Sequence, residues 1–265
     1  MPRALELITG RVTAPGAAFT AWTPSTGNAL TIRNGRAEKA IFLLTAFAKN
    51  QGVGTLRIRS PLLHDNVNGL RMDVTAGLSS PLLPLWHRQR LQPQDLLTVE
   101  QLGSAGAGDL ELGGFLVYYE DLPGVDAQLI TYEDLIKRGL ETTVVENTIA
   151  TTATGDYGGE EAINAEVDQF KANSPYAVVG YLVDTLCGVI RYRGSDTGNL
   201  GVGGPGEPTL RHQTAEWFAR LARETGLPLI PVFNSANRAA FLVDATQDEN
   251  GADVTVSTIL VRLAP

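Results

Sequence analysis

Carboxylates are the side chains of this sequence that have the strongest potential for chemistry. Several of them fall in segments whose composition predicts loops: Glu160, Glu161, Asp244, Asp248 and Asp253. Two carboxyl groups a few ångströms apart can act as acid and base in glycoside hydrolysis, so a carbohydrate-active site stays open. The run from Asp248 to Asp253 is similar to a calcium-binding loop, but its glycine is misplaced for an EF-hand and no bidentate glutamate follows. We expect a solvated turn there.

Histidine, cysteine and glycine patterns argue against metal, nucleophile and nucleotide chemistry. His64, His87 and His212 have none of the spacings of zinc or iron ligands. Cys187 is the only cysteine and lies in an aliphatic run, which favours a buried thiol over a nucleophile. Gly201–Gly206 fits GxGxxG, but no strand ends directly before it, so a plain glycine loop is expected. We therefore expect no catalytic, metal-ligating or cofactor-binding residue and no enzymatic activity.

The tryptophans, Trp22, Trp86 and Trp217, lie far apart in the sequence. Each is expected in the core or at a subunit interface rather than on a sugar-stacking platform. Trp217 belongs to a predicted helix over 209–225, in which it forms an apolar stripe with Leu221 and Phe218. We expect Trp217 and Leu221 to face a sheet.

Charge and composition restrict the partners of the chain. Its 265 residues carry 21 Lys and Arg against 29 Asp and Glu, for a net charge of −8, and no basic run exceeds a doublet. Direct nucleic-acid binding is not expected, because phosphate neutralisation supplies most of that affinity. The apolar stretch 40–48 is too short to span a bilayer, and the first residues lack the apolar core of a secretory signal. These features predict a soluble globular chain.

Short apolar and β-branched runs separated by glycine and proline predict an all-β fold with a few short helices. The runs expected to form strands are 20–23, 29–33, 40–48, 55–59, 84–91, 96–102, 109–120, 144–154, 176–186, 189–193, 227–233, 239–244 and 254–262. A capping box at Thr131–Asp134 predicts a short helix with Leu135, Ile136 and Leu140 on one side. The domain prediction is 1–123, a linker with this helix over 124–143, and 144–265.

The two halves of the sequence are similar to each other in outline. Leu56-Arg-Ile-Arg59 in the first half matches Ile190-Arg-Tyr-Arg193 in the second, and similar aliphatic runs close both halves. Both matches have an offset of about half of the chain, which favours an internal duplication. Alternation along 56–59 places both arginines on an outer face, where a solvated surface is expected.

The order of these elements resembles that of the double jelly-roll major capsid proteins of tailless icosahedral double-stranded DNA viruses. The resemblance covers nearly the whole chain: two strand-rich halves, a linking helix, and a helix inside the second half before its last three strands. It depends on architecture, because that family has no signature motif. The first half lacks a clear counterpart of the helix at 209–225, and no amphipathic membrane-contact helix precedes Ala17.

The resemblance implies two tandem eight-stranded antiparallel jelly-roll sandwiches and a structural role in the virion. It also implies a pseudo-hexameric homotrimer that tiles an icosahedral shell, next to neighbouring capsomers, vertex or minor capsid proteins and an internal membrane. Two other functions stay open on the residues alone. One is a carbohydrate-binding or carbohydrate-active β-sandwich, and the other is an accessory virion or tail-associated protein.

Overall fold

The protein is all-β with short helices, and most of its strands are antiparallel members of four sheets. The computed structural model describes residues 2–49, 53–62, 67–74, 80–81, 89–104, 106–107, 109–150, 155–163, 169–184, 187–246 and 253–265. The first-half strands are β1 (Ala4–Thr13), β2 (Thr20–Ala21), β3 (Thr23–Pro24), β4 (Ile41–Lys49), β5 (Gly54–Arg59), β6 (Leu70–Val74), β7 (Ser80–Pro81), β8 (Gln89–Leu91), β9 (Thr98–Leu102) and β10 (Leu110–Tyr119).

The second half contributes the remaining strands and the helices. Its strands are β11 (Leu129–Ile130), β12 (Gly139–Ile149), β13 (Glu161–Ala162), β14 (Pro175–Val183), β15 (Val189–Arg193), β16 (Val202–Pro205), β17 (Ile230–Asn234), β18 (Leu242–Ala245) and β19 (Val254–Leu263). Its helices are α1 (Tyr132–Arg138), α2 (Arg211–Thr214) and α3 (Trp217–Thr225), with 3-10 turns at Pro208–Leu210 and Ser235–Ala240.

Each half pairs its strands in two sheets. The strand order is the same in both halves when the short strands β3, β7 and β11 are set aside and sheet III is read in reverse. Sheet I runs β3-β1-β10-β4-β7, with β8 also on β4, and sheet II runs β2-β9-β5-β6. In the second half, sheet III runs β11-β17-β14-β19-β12 and sheet IV runs β13-β18-β15-β16. Sheets I and II form one sandwich, and sheets III and IV form the other. The extra two-residue strands make these sheets larger than the eight strands expected for each half.

Sheet I is buried on both faces, and this arrangement joins the halves. Ile8, Phe115 and Val117 point to sheet II and belong to the core of the first sandwich. Leu7 and Leu116 are next to these residues in the sequence, so their side chains point to the opposite face of sheet I. They belong to the core that is shared with the second half. All ten residues of β10 are buried, which explains why its sequence is apolar without alternation. The outer face of sheet I, which is the face turned away from sheet II, therefore packs on the second half.

A β-bulge occurs at the same place in both halves. In the pairing of β4 with β10, Leu44 is the extra residue between the partners of Leu116 and Val117. In the pairing of β14 with β19, Val179 is the extra residue between the partners of Ile259 and Leu260. Bulges mark defined positions in a sheet. The two bulges have the same offset of about half of the chain, so they support the duplication independently of the sequence matches.

Several expectations about single elements need correction. Residues 29–33 form no continuous strand and contribute an isolated bridge at Thr31. Gly201–Gly206 is not a plain loop, because Val202–Pro205 is edge strand β16. The capping box of α1 is present, but the helix ends at Arg138, so Leu140 lies in β12 and not on the helix with Leu135 and Ile136. Of these three side chains only Leu135 is buried. Much of the predicted strand 84–91, and residues 151–154 of another, lie outside the described residues.

The segment 124–143, expected as a linker, contains more than α1. It also includes β11, which pairs with β17, and the first residues of β12, which pairs with β19. This segment therefore contributes strands to sheet III. The domain boundaries themselves stay a prediction.

The helix expected over 209–225 is interrupted into a 3-10 turn, α2 and α3. Trp217 and Leu221 both have no exposed surface, as expected, and Phe218 is buried beside them. The indole Nε1 of Trp217 donates a hydrogen bond to the carbonyl oxygen of Gly203 at 2.9 Å. Its ring also meets Phe47 of the first half, edge to face, at 6.3 Å between centroids. Trp217 thus packs inside the second sandwich and against the first one.

Trp217→Ala tests this packing role. Loss of a fully buried ring and of its hydrogen bond should lower the free energy of unfolding by about 3 to 5 kcal/mol. Chemical denaturation with fitted midpoints and slopes measures the loss. The matched control, Leu96→Ala, removes a side chain that is 64% exposed and should change stability by less than about 0.5 kcal/mol. Equal effects of the two substitutions would contradict the packing role.

Candidate functional site

A cluster of ion pairs that involves Arg191, Arg193, Glu160 and Asp244 lies where the two halves meet. The outer face of sheet I packs on the outer face of sheet IV, which is the face turned away from sheet III. We call this contact the joint. A cleft of about 380 Å³ opens at its border. Its lining comes from both halves: Thr26, Gly27, Tyr157, Gly158, Gly159, Glu160, Arg191, Arg193 and Asp244.

Arg191 on β15 is the centre of the cleft wall. Its Nη2 lies 2.8 Å from Oδ2 of Asp244 on the neighbouring strand β18 and 3.5 Å from Oε1 of Glu160. Its Cζ lies 3.6 Å from the ring centroid of Tyr157, a cation–π contact. Its Nη1 donates to the carbonyl oxygen of Thr26 in the first half at 3.1 Å. The guanidinium group of Arg191 therefore contacts two carboxylates, an aromatic ring and a backbone carbonyl group of the first half.

Asp244 is the buried carboxylate of this group. Burial raises its pKa, while Arg191 and the backbone N–H groups of Gly159 and Ala245 oppose that rise. Oδ1 accepts hydrogen bonds from those two backbone groups, and Oδ2 accepts from Arg191. The carboxylate is thus tightly held by protein donors, and the two arginines of the cleft balance its two acids. This arrangement is typical of a structural ion pair.

Other polar contacts fix the joint next to the cleft. Asp156 accepts from the backbone N–H of Thr26 at 2.7 Å and forms an ion pair with Arg11 on β1 at 2.9 Å. Arg11 also donates to the carbonyl oxygen of Gly155, and the backbone N–H of Leu7 donates to Gly201 at 2.7 Å. Each of these bonds joins a segment of the first half to a segment of the second. They favour one fixed orientation of the two halves.

The first half contains a second copy of the same triad. Arg57 on β5 pairs with Glu100 on β9 at 2.7 Å, and its Cζ lies 3.8 Å from the ring centroid of Phe19. Arg59 adds an ion pair to the same Glu100 at 2.9 Å, whereas its equivalent, Arg193, forms an ion pair with Glu160. Phe19, Arg57 and Glu100 are equivalent in fold position to Tyr157, Arg191 and Asp244.

This repetition bears on catalysis. Equivalent members of the two triads are separated by about half of the chain, so the triad is a property of the repeated fold. A catalytic site needs polar groups that are aimed at a substrate, whereas each triad aims its groups at one another. The sequence repeat pointed to the arginines, but it missed Glu100 and both aromatic rings. Among the carboxylates expected in loops, Asp244 lies on β18, in agreement with the strand predicted over 239–244, and is buried, and Glu161 lies on β13.

The other candidate residues are scattered. Trp22 is buried and donates to Gln101, and Cys187 is fully buried, as expected for a core thiol. Asp253 and His212 are exposed. His64, His87, Trp86 and Asp248 lie outside the described residues. Within the described part of the chain, no three His, Cys, Asp or Glu side chains cluster as metal ligands, and no helix has the length and apolar character to cross a bilayer.

The glycines of β16 serve close packing. A Cβ on Gly203 would lie 1.9 Å from the carbonyl oxygen of Ile190. A Cβ on Gly204 would lie 2.5 Å from the Trp217 ring, and one on Gly206 would lie 2.0 Å from Sγ of Cys187. This run therefore lets the edge strand approach β15 and α3, as glycine in a strand often does. It has no phosphate-binding geometry, because it does not open a helix after a strand.

Comparison with known proteins gives weak structural similarity. No family model matches the chain, and no curated protein sequence matches it. The crystal structure of PBSX exported protein XepA is 11% identical over 97% of this chain and 86% of that chain, with a TM-score of 0.29. A structure of Sulfolobus Turreted Icosahedral Virus is 10% identical over 99% of this chain and 80% of that chain, with a TM-score of 0.24.

Arg191→Met tests the structural role of the triad at the joint. The substitution leaves Asp244 buried without its main partner and should cost about 3 kcal/mol or more in unfolding free energy. The matched variant Arg57→Met leaves Glu100 paired with Arg59, so about 1 kcal/mol is expected. Addition of Asp244→Leu to Arg191→Met should restore part of the loss. Urea unfolding measures all three variants, and equal losses at Arg57 and Arg191 would contradict this assignment.

The two acids of the triads should respond to pH in opposite directions. Hydrogen bonds from Arg59 lower the pKa of Glu100, so its contribution is present above the unfolded pKa, about 4.3, and is lost as pH falls. Burial raises the pKa of Asp244, so its protonated form favours folding and that contribution is lost as pH rises. The cost of Glu100→Gln should shrink between pH 7 and pH 4, whereas the cost of Asp244→Asn should grow. Unfolding at several pH values checks both signs, and parallel trends would contradict them.

Proposed function

We propose that this chain is a structural virion protein, a major capsid protein whose copies assemble as a pseudo-hexameric homotrimer in an icosahedral shell. On this proposal it is not an enzyme, needs no cofactor and resides in the virion. The observation that carries the proposal is the strand order of the four sheets, which supports a jelly roll in each half. Jelly rolls are a common fold of viral capsid domains.

The strand order can be followed by counting the eight main strands of each half along the chain. With β3, β7 and β11 set aside, sheets I and III each run first, eighth, third, sixth. Sheets II and IV each run second, seventh, fourth, fifth. This order nests one antiparallel hairpin inside another across two sheets, which is how a jelly roll is built. We infer that the chain is two tandem jelly rolls.

The joint supports a structural role. A shell tile must keep its two sandwiches in one orientation under load. Here both faces of sheet I are buried, and the ion pair of Arg11 with Asp156 and the hydrogen bond from Arg191 to Thr26 cross the joint. Packed interiors resist deformation because their side chains interdigitate at crystal-like density. The paired charges of the cleft are consistent with this role. A mobile substrate-binding hinge would need a looser and wetter contact.

The proposed partners are other copies of the chain in the trimer, neighbouring capsomers, vertex or minor capsid proteins and an internal membrane. Direct binding of nucleic acid is not proposed. The net charge of −8 opposes the approach of a polyanion.

The second candidate is a carbohydrate-binding or carbohydrate-active β-sandwich. The observation in its favour is the cleft at the joint, where Glu160 and Asp244 face the same space. Both carboxylates contact Nη2 of Arg191, so a glycoside-cleaving role would require this guanidinium to release them. The repeated triad makes the capsid role the better explanation.

Solution mass distinguishes the two candidates. The capsid proposal predicts a trimer, with three times the chain mass of 28.3 kDa, in light scattering coupled to size exclusion. It also predicts no salt-sensitive retention on immobilised double-stranded DNA. A 28.3 kDa monomer that binds glycans, with binding lost in Glu160→Gln, would favour the second candidate instead.

A further inference from the structure

The joint inside the chain is heterologous, because two different surfaces meet. One surface is the outer face of sheet I, and the other is the outer face of sheet IV. Since sheets I and III are equivalent and sheets II and IV are equivalent, each chain carries one further copy of each surface. These are the outer face of sheet III and the outer face of sheet II. A heterologous contact that is repeated between copies can close into a ring.

We propose that the outer face of sheet II in one copy packs against the β12–β19 part of sheet III in a second copy, as sheet IV packs against sheet I inside the chain. The inference rests on the proposed trimeric capsid subunit and names the surfaces that would hold it together. The occupant of both faces is a second copy of this chain.

The register of the strands shows which residues would take part on sheet III. Leu7 pairs with Leu116 in the first half, and Val144 pairs with Ile259 in the second. Leu7 is buried in the joint, whereas Val144, its equivalent, is 51% exposed. The outer-facing residues of β12 around Val144 are also exposed: Thr142, Glu146 and Thr148. The second half thus presents openly the face that the first half buries.

The outer faces of sheets I and III differ in composition. This difference is expected if the first is always buried inside the chain and the second is buried only when copies assemble. Along β1 the outer residues are Leu5, Leu7, Thr9 and Arg11, and along β12 the same positions hold Thr142, Val144, Glu146 and Thr148. A face that is exposed before assembly must stay soluble, so polar residues replace most of the leucines. Apolar groups remain at Val144 and at the groove beside α1, which includes Ile136 and Val261.

The outer face of sheet II carries the first-half triad, and its charge complements sheet III. Its charged side chains are three arginines and two carboxylates: Arg57, Arg59, Arg71, Glu100 and Asp73. On the facing side of sheet III, the outward-pointing positions of β12 and β19 carry one charged side chain, Glu146, because Glu141 and Arg262 pair with each other on the opposite side of these strands. One face is therefore positive by one charge and the other is negative by one charge, which favours their association over pairing of like faces.

The hydrogen bond between Thr9 and Tyr157 in the joint indicates which residues would meet at the equivalent place between two copies. Thr9 donates to the hydroxyl of Tyr157, beside Arg191. The residue equivalent to Thr9 is Glu146, and the ring equivalent to that of Tyr157 is Phe19, beside Arg57. A carboxylate thus takes the place that faces the arginine of the first-half triad. The proposed interface gains an ion pair of Glu146 with Arg57 where the joint has a hydroxyl pair.

Two blocking variants test the proposal. Val144→Arg places a long charged side chain on the sheet III face, and Thr55→Arg does so on the sheet II face. Val189, which is equivalent to Thr55, is buried in the joint. Each variant alone should be a 28.3 kDa monomer, because every copy lacks one of the two surfaces. An equimolar mixture should form a dimer, with twice the chain mass of 28.3 kDa, because one intact pair of surfaces remains.

The control is Ala37→Arg, in an exposed loop before β4, which should remain a trimer. Near-ultraviolet circular dichroism and thermal unfolding check that each variant is folded, and Ser257→Arg and Thr98→Arg replace any variant that is not. A trimeric wild type with trimeric blocking variants would overturn this inference and leave the proposed function standing. A mixture that stays monomeric would overturn it as well, because it would indicate a different interface. A monomeric wild type would overturn both proposals.

Discussion

Burial of both faces of sheet I is the constraint on which the rest of the structure depends. A sheet in an isolated sandwich has one face in the core and one in water, and its strands alternate. Here β10 is buried along all of its ten residues, so the first half exposes a large apolar face without the second half. This requirement explains the leucines on the outer side of β1, the glycine-rich edge strand β16 and the position of Trp217 against Phe47. The two halves therefore share one buried apolar cluster.

The same interaction of an arginine, an aromatic ring and a carboxylate occurs once in each half, but its two copies lie in different environments. Both copies place an arginine between an aromatic ring and a carboxylate of the neighbouring strand. In the second half the triad lies in the wall of the cleft at the border of the joint, where burial raises the pKa of Asp244. In the first half it lies on an outer face, where Arg59 and Arg57 together lower the pKa of Glu100. A buried ion pair adds little net stability, but an arrangement that leaves one of its charges buried without a partner is costly. The triad is therefore suited to fixing how sheet IV is oriented on sheet I.

The sequence allowed the fold class, the duplication and most long strands to be predicted, because these depend on local patterns. Alternation at 56–59 and its repetition half of the chain later are visible without tertiary structure. Leu140 was predicted on the same helix as Leu135 and Ile136, whereas it lies in β12, because the helix ends where the chain begins to pair with β19. The glycine run 201–206 was expected as a loop, since its composition disfavours strands and only pairing with β15 makes it one. The partners of Arg57 and Arg191 could not be predicted, because they depend on the register between strands that are far apart in the sequence.

The proposed trimer repeats, between chains, the contact that sheets I and IV make inside one chain. Electron cryomicroscopy of the purified oligomer tests it most directly, because the two sandwiches are large enough to be seen as separate lobes. We expect a closed ring of six similar lobes, in which sheet I meets sheet IV and sheet III meets sheet II alternately around the ring. Particles in which copies meet through like faces, related by a two-fold axis, would contradict it.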